Sequence, residues 1–219
     1  MATENTIESF RAALAAGLDG VETDVHLTAD GKLVLHHDPD LSDGEFITAL
    51  SLAHVRLRAP HAPLLDDLRP VLEEYGNARL NLEVKSAVPQ ADERAEAVCE
   101  ALTGWPEAVR GRVWLSTFDR SLLRELERGF AARGFKIPLA FLLSRSDTDG
   151  VPADVELVAV HPHHSLVDGE SVAAWHAAGL AVHTWTVNEA LLAQRLIQAE
   201  VDGLIGDVPE VLLAARSDS

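Results

Sequence analysis

The stretch GVETDVHLTADGKLVLHH, residues 20–37, decides how the chain reads. Two runs of alternating apolar and polar residues flank Asp30-Gly31, a dipeptide that favours a two-residue hairpin turn. With Asp30 and Gly31 as the turn, the numbers of facing residues sum to 61, and Asp24 lies opposite His37. Directly opposed residues share a face of the sheet, and so do residues two apart on one strand. Glu22, Asp24 and His37 are therefore expected on one surface, with His36 on the other, opposite Val25. A slip of one residue would undo this, so the expectation hangs on the turn type.

Around this hairpin the chain alternates. Helical periodicity marks residues 5–16, 66–76, 91–104, 120–133, 169–178 and 189–200. In the first of these, Ile7, Phe10 and Leu14 share one face, Asn5 is the expected N-cap with Glu8 three residues on, and Gly17 is the expected stop. Strand-like runs lie at 20–27, 33–37, 80–85, 112–117, 137–142, 155–160, 181–187 and 202–206. This rhythm predicts a parallel α/β fold, and a TIM (β/α)8-type barrel is the specific expectation. The open doubly wound sheet is the alternative, but no GxGxxG turn follows any strand.

A chain of 219 residues with 47% hydrophobic and 24% charged residues is expected to form one domain, residues 1–219. The 18 Lys and Arg against 35 Asp and Glu give a formal charge of −17. Such a surface repels phosphate backbones and anionic membranes, which argues against nucleic acid as a partner and against stable membrane insertion. An anionic ligand would need a metal ion or a local group of cations. The single cysteine, Cys99, excludes an internal disulfide and any CxxC motif. No apolar run is long enough to span a membrane, and MATENTIESFRAALAAG lacks a basic and apolar leader, so the expected location is cytoplasmic.

Glu22 and Asp24 are a carboxylate pair at strand spacing; two inward carboxylates at the end of a barrel strand need a cation. In LNLEVK, residues 80–85, Glu83 and Lys85 share a face at the C-terminal end of a strand, where barrel active sites lie. Three carboxylates without cysteine make a hard oxygen site that suits Ca²⁺ or Mg²⁺ better than zinc. His161-Pro-His163 offers an alternative zinc site, although a histidine in such a run more often lines a pocket, and His161 is expected to contact substrate there. Trp185 is expected to form an apolar wall for a substrate group, whereas Trp105, Trp114 and Trp175 are read as packing. His26, His54, His61, His176 and His183 are given no role.

These residues resemble the glycerophosphodiester phosphodiesterase family. ENTIESFRAALAAGLDGVETDVHLTADGKLVLHHDPDL resembles its E-N-T, helix, E-x-D, D-G and H-D signature, and LNLEVK its L-E-I-K strand. Ser116–Phe118, His161-Pro162, WTVN and VDGLIGDVP follow in the family's order. The resemblance implies a TIM barrel that hydrolyses glycerophosphodiesters to glycerol 3-phosphate and an alcohol with Ca²⁺ or Mg²⁺. It implies that Glu22, Asp24 and Glu83 ligate the metal, that His37 is one of two acid–base histidines, and that Lys85 contacts phosphate. The family's His-Arg-Gly strand, which precedes E-N-T, has no counterpart, so seven barrel strands plus the hairpin return are expected where eight would close the barrel. A start placed too late is the favoured explanation; a segment or partner that fills the gap, and a relative that binds without turnover, are the others. Leu41 is followed by Ser-Asp-Gly rather than Arg-Thr-Thr, and Gly206 stands where a threonine is usual, departures expected to bear on substrate choice. An activity on lysolipid is a variant of the same chemistry. The oligomeric state is not readable.

Overall fold

Thr6 opens the first helix. Its hydroxyl accepts from the Ser9 amide at 3.2 Å, the Ser9 hydroxyl accepts from the Thr6 amide at 3.2 Å, and this reciprocal cap starts α1 (Ile7–Ala15). The cap thus lies one residue beyond the expected Asn5, whose own backbone sits at φ 52°. Phe10 and Leu14 are the buried face, and Gly17 at φ 98° ends the helix as expected. The computed structural model describes residues 3–86, 91–146 and 149–217.

The hairpin follows as β1 (Gly20–Leu27) and antiparallel β2 (Leu33–Leu35). Its register corrects the expectation. Val25 faces Leu35, His26 faces Val34 and Leu27 faces Leu33, so partner numbers sum to 60, not 61. The Thr28 amide donates to the Lys32 carbonyl at 2.9 Å, the Gly31 amide donates to Thr28 at 2.9 Å, and Gly31 adopts φ 73°. The loop is therefore the three residues 29–31, with glycine in the left-handed position that this loop length demands. Asp30 does not turn the chain with Gly31 alone: its carboxylate accepts from the Thr28 hydroxyl and the Leu52 amide. One residue of slip puts His36 beside Asp24, through a 3.1 Å bond from the His36 amide to the Asp24 carbonyl, and leaves His37 beyond the end of β2.

From there the chain winds through α2 (Leu52–Arg58), α3 (Leu65–Glu74), β3 (Arg79–Val84), α4 (Ala91–Thr103), α5 (Glu107–Arg110), β4 (Val113–Thr117) and α6 (Arg120–Ala132). It ends with β5 (Leu139–Leu143), β6 (Ala159–Pro162), α7 (Gly169–Ala177), β7 (Ala181–Thr184), α8 (Ala190–Gln198), β8 (Gly203–Leu204) and α9 (Pro209–Ser217). The sheet order is β2-β1-β3-β4-β5-β6-β7-β8, parallel throughout except for β2. Among the described residues this is the expected curled α/β sheet of seven barrel strands and a hairpin return. The strand expected at 155–160 starts only at Ala159, and the one expected at 202–206 shrinks to two residues. The short α2 and α5 and the terminal α9 lie outside the segments expected from periodicity. No helix among the described residues is long and apolar enough to cross a membrane.

Register decides what lines the barrel. Glu22 pairs with Asn81 and Asn81 with Trp114; Asp24 pairs with Glu83 and Glu83 with Ser116. Neighbours in register share a face, so this inner wall is polar on β1, β3 and β4. Across it, Ala140, Ala159 and Ala181 keep the wall shallow. His161 of β6 is fully buried, its ring stacked 5.1 Å from His183, which in turn stacks 4.8 Å from Trp114. Neither ring nitrogen of His161 has a hydrogen-bond partner among the described residues. Burial, then the neighbouring His183, push its pKa down to about 3.

Outside the sheet, α4 and α6 pack at close range. A Cβ on Gly129 would come within 2.7 Å of Cys99 Sγ. Burial pushes the Cys99 thiol up to about 11, consistent with a packing role.

Two outcomes follow. Gly129→Ala should cost about 1–3 kcal/mol by overpacking, and Cys99→Ala on the same chain should recover part of it in a double-mutant cycle of denaturant melts. His161 is held neutral below its unfolded pKa, so the stability it contributes is complete above pH 6.5 and is lost as pH falls toward 3. At about 1.4 kcal/mol per unit, His161→Phe should lose visibly less melting temperature than the wild type between pH 7 and pH 5. Parallel losses in the two proteins would show that His161 does not carry this term.

Candidate active site

Three carboxylates meet where β1 runs beside β3. Glu22 and Asp24 lie two residues apart on one face of β1, and register sets Glu83 next to Asp24. Each offers an oxygen within 4.8 Å of the others, the one such group of three His, Cys, Asp or Glu ligands among the described residues. Asp24 and Glu83 are buried. Lys85 Nζ stands 2.8 Å from Asp24 Oδ1 and 2.8 Å from Glu83 Oε1.

The electrostatics are those of an over-filled anionic site. Burial, then the charges of Asp24 and Glu83, raise the pKa of Glu22 well above the usual carboxylate range. Burial likewise raises Glu83, opposed mainly by Lys85. Burial alone would lower Lys85, but Glu83 and Asp24 outweigh it and hold the ammonium above the usual lysine range. One ammonium offsets three carboxylates only in part. An all-oxygen donor set with this spacing and this unmet negative charge fits a hard divalent cation and lacks the nitrogen and sulfur ligands zinc prefers.

Asn5 holds this edge in place. Its Oδ1 accepts from the Thr23 hydroxyl and, at 3.4 Å, from the Asp24 amide, while its Nδ2 donates to Asp24 Oδ2 at 3.3 Å. The left-handed backbone at Asn5 is one that asparagine tolerates better than most residues. The sequence pattern disguised this residue as a helix cap.

His37 stands at the exposed rim, and its Nδ1 lies 2.9 Å from Asp38 Oδ1. That contact fixes the tautomer with the proton on Nδ1 and leaves Nε2 free to accept. The bond from His37 also holds the Asp38 carboxyl below its usual range. His37 is close enough for its charge to act on Glu83. The buried His26, given no role from sequence, places its Nε2 3.4 Å from the His37 carbonyl. Asp38 and His26 were thus missed; the H-D dipeptide carried the only sequence signal for the former.

On the other side of the mouth, Trp185 donates its indole N–H to the His161 carbonyl at 2.8 Å. Phe118 and His163 meet its ring edge-on, at 5.8 and 5.1 Å. His161, expected at the substrate, is instead closed to solvent, because its alternating position on β6 turns the ring into the barrel. The zinc alternative gains nothing: His163 Nδ1 is engaged with the Ser165 hydroxyl at 2.7 Å, and His161 and His163 belong to no ligand group among the described residues. Asn188 and Asp207, also missed, clasp each other through bonds of 2.8 and 2.7 Å, with Asp207 near enough to act on Glu22. Gly206 has a steric reason: a Cβ there would lie 2.2 Å from the Val187 carbonyl, so this backbone has no room for threonine.

Comparison with known proteins places this geometry. A glycerophosphodiester phosphodiesterase of Caldanaerobacter subterraneus is 29% identical over 224 residues, covering 96% of this chain and 90% of that protein. A lysophospholipase D of Mus musculus is 23% identical, over 95% of this chain and 80% of its own. The structure of an Oleispira antarctica phosphodiesterase in complex with the product sn-glycerol-3-phosphate superposes with a TM-score of 0.84 at 27% identity, covering 99% of this chain and 92% of that one. Residues 1–211 match the profile of the Glycerophosphoryl diester phosphodiesterase family, and the chain belongs to that family.

Proposed function

We propose that this chain, acting as one domain over residues 1–219, hydrolyses glycerophosphodiesters to glycerol 3-phosphate and an alcohol, with Ca²⁺ or Mg²⁺ held by Glu22, Asp24 and Glu83. The observation that carries this is the convergence of three carboxylates in a member of this family, with an ammonium between two of them and an imidazole at the rim. The product seen in the Oleispira neighbour matches the proposed product. A divalent cation bound there would polarise phosphoryl oxygens and favour the ionised form of an attacking hydroxyl.

The chain's own groups supply the rest. Lys85 is placed to contact a phosphoryl oxygen from the side of Asp24 and Glu83. His37 Nε2, freed by the Asp38 bond, takes a proton from the attacking hydroxyl or returns one to the leaving alkoxide. As the new P–O bond forms, the P–O bond to the alcohol breaks, and the alkoxide leaves with the returned proton. The glycerol 2-hydroxyl is a suitable first nucleophile, giving a cyclic phosphate that water then opens. Trp185 and Phe118 form the apolar wall for the organic part of the diester. A small soluble phosphodiester in the cytoplasm fits the acidic charge and the absence of a basic amphipathic helix from the sequence.

The direct test is glycerol 3-phosphate release from glycerophosphocholine with Ca²⁺, with Mg²⁺ and with chelator. Release should require metal, and His37→Ala should lower kcat by about 10²-fold or more while leaving metal affinity intact. Metal-dependent substrate binding with no release would assign the chain to the noncatalytic alternative. Calorimetric titration should show Glu83→Gln weakening metal binding, and Asn5→Ala weakening it by about 10–100-fold through loss of Asp24's orientation. Unchanged affinity in either variant would remove that residue from the site.

A further inference from the structure

His163 is the first residue beyond β6, and its backbone still bridges to that of Trp185 as a parallel strand would. Strand alternation therefore continues through both residues. They follow by two the inward-turned His161 and His183, so their side chains stand on the same face one layer higher, at the mouth of the barrel. There the His163 ring meets Trp185 edge-on at 5.1 Å and sets a polar group into the wall that Trp185 and Phe118 form.

The His163 ring has a fixed tautomer. The Ser165 amide donates to Nδ1 at 3.3 Å, and the Ser165 hydroxyl lies 2.7 Å from the same nitrogen. That hydroxyl accepts from Arg145 Nε at 2.6 Å, which directs its own proton at Nδ1. An amide N–H only donates, so Nδ1 carries no proton and the proton sits on Nε2. Nε2 has no hydrogen-bond partner among the described residues. Burial, then the charges of His164 and Arg145, hold the pKa of His163 below the usual histidine range. Near neutral pH the ring is therefore an uncharged N–H donor, neither an acid nor a base. His37 is its opposite, with the proton on Nδ1 and Nε2 left to accept.

The course of the reaction decides what that donor meets. In the hydrolysis proposed above, on which this inference rests, the glycerol 2-hydroxyl gives its proton to His37 beside β1. Attacking and leaving oxygens stand roughly in line across phosphorus, so the alcohol departs on the side away from His37. The sheet order puts β6 on that side, with β3, β4 and β5 between it and β1. We propose that His163 is a specificity-determining residue whose Nε2–H donates to a hydroxyl of the leaving alcohol, so that the site favours a hydroxylated alcohol such as glycerol over a quaternary ammonium. A donor backed by Arg145 gives an ammonium neither an acceptor nor a countercharge. A hydroxyl oxygen accepts from Nε2 while its carbon chain lies along Trp185.

The test compares glycerophosphoglycerol with glycerophosphocholine on the full chain with metal present. Wild-type kcat/KM should favour glycerophosphoglycerol. His163→Phe, which keeps a ring against Trp185 but no donor, should raise KM for glycerophosphoglycerol by about three- to tenfold with kcat nearly unchanged, and should leave KM for glycerophosphocholine as it was. His163→Gln, which restores an N–H, should recover part of the loss. Nitrogen NMR of the wild-type imidazole should show Nδ1 unprotonated and Nε2 protonated, and glycerol but not choline should shift the Nε2–H resonance. That measurement decides the matter if the variants do not fold. A proton on Nδ1, or no shift with glycerol, would overturn the proposal. So would an equal rise of KM for both diesters, which would move the contact to the glycerol they share, or a fall in kcat at constant KM, which would move it to the reacting phosphoryl group. No turnover of either diester by the wild-type chain would sink the hydrolase reading, and this proposal with it.

Discussion

Asp24 and Glu83 sit side by side because β1 and β3 pair in parallel register, and the ammonium of Lys85 lies 2.8 Å from each. The site depends on this contact. Two buried carboxylates with Glu22 beside them repel one another strongly in a medium that screens poorly. Lys85, the residue after the end of β3, relieves part of that repulsion. The rest is left as an unmet demand for positive charge, expressed in the raised pKa values of Glu22 and Glu83. An acidic cluster that could hold a cation arises here because solvent and countercharge are withheld together.

The barrel supports this arrangement by dividing its inner wall. The carboxylates of β1 and β3 share this face with Asn81 of β3 and with Trp114 and Ser116 of β4, whereas β5, β6 and β7 place Ala140, Ala159 and Ala181 on it. The His183 and His161 rings occupy the space that small residues leave, and Gly203 permits it: a Cβ there would lie 2.8 Å from the His183 ring. Burial keeps the interior His161 and His183 neutral, whereas at the rim the bond from His37 Nδ1 to Asp38 leaves Nε2 unengaged.

Most of the fold was legible because its signals are local. The helices at 91–103, 120–132 and 169–177 follow the 3.6 period to within a residue of expectation. The common face of Glu22 and Asp24, and that of Glu83 and Lys85, follow from strand alternation whatever the strands pair with. The failures have a common cause. His37 was assigned by a two-residue turn, and the turn uses three, with Gly31 in the left-handed conformation. Asn5 reads as a cap because its neighbour Thr6 does the capping, and its true partners lie 18 and 19 residues away. His161 reads as a pocket histidine because H-P-H-H marks a strand end, yet β6 runs on through it to Pro162 and its ring is fully buried.

The amino-acid sequence by itself determined the succession of strands and helices, the count of seven barrel strands, and which side chains on each strand share a face. Those properties repeat with a period of two or 3.6 residues and need no distant partner. Only the tertiary structure decided that Glu83 lands beside Asp24, that His36 rather than His37 faces it, and that Asn5 steadies the edge. Each of these depends on hydrogen-bond register between segments far apart in the chain, and register is set by turn geometry and the packing of the whole sheet.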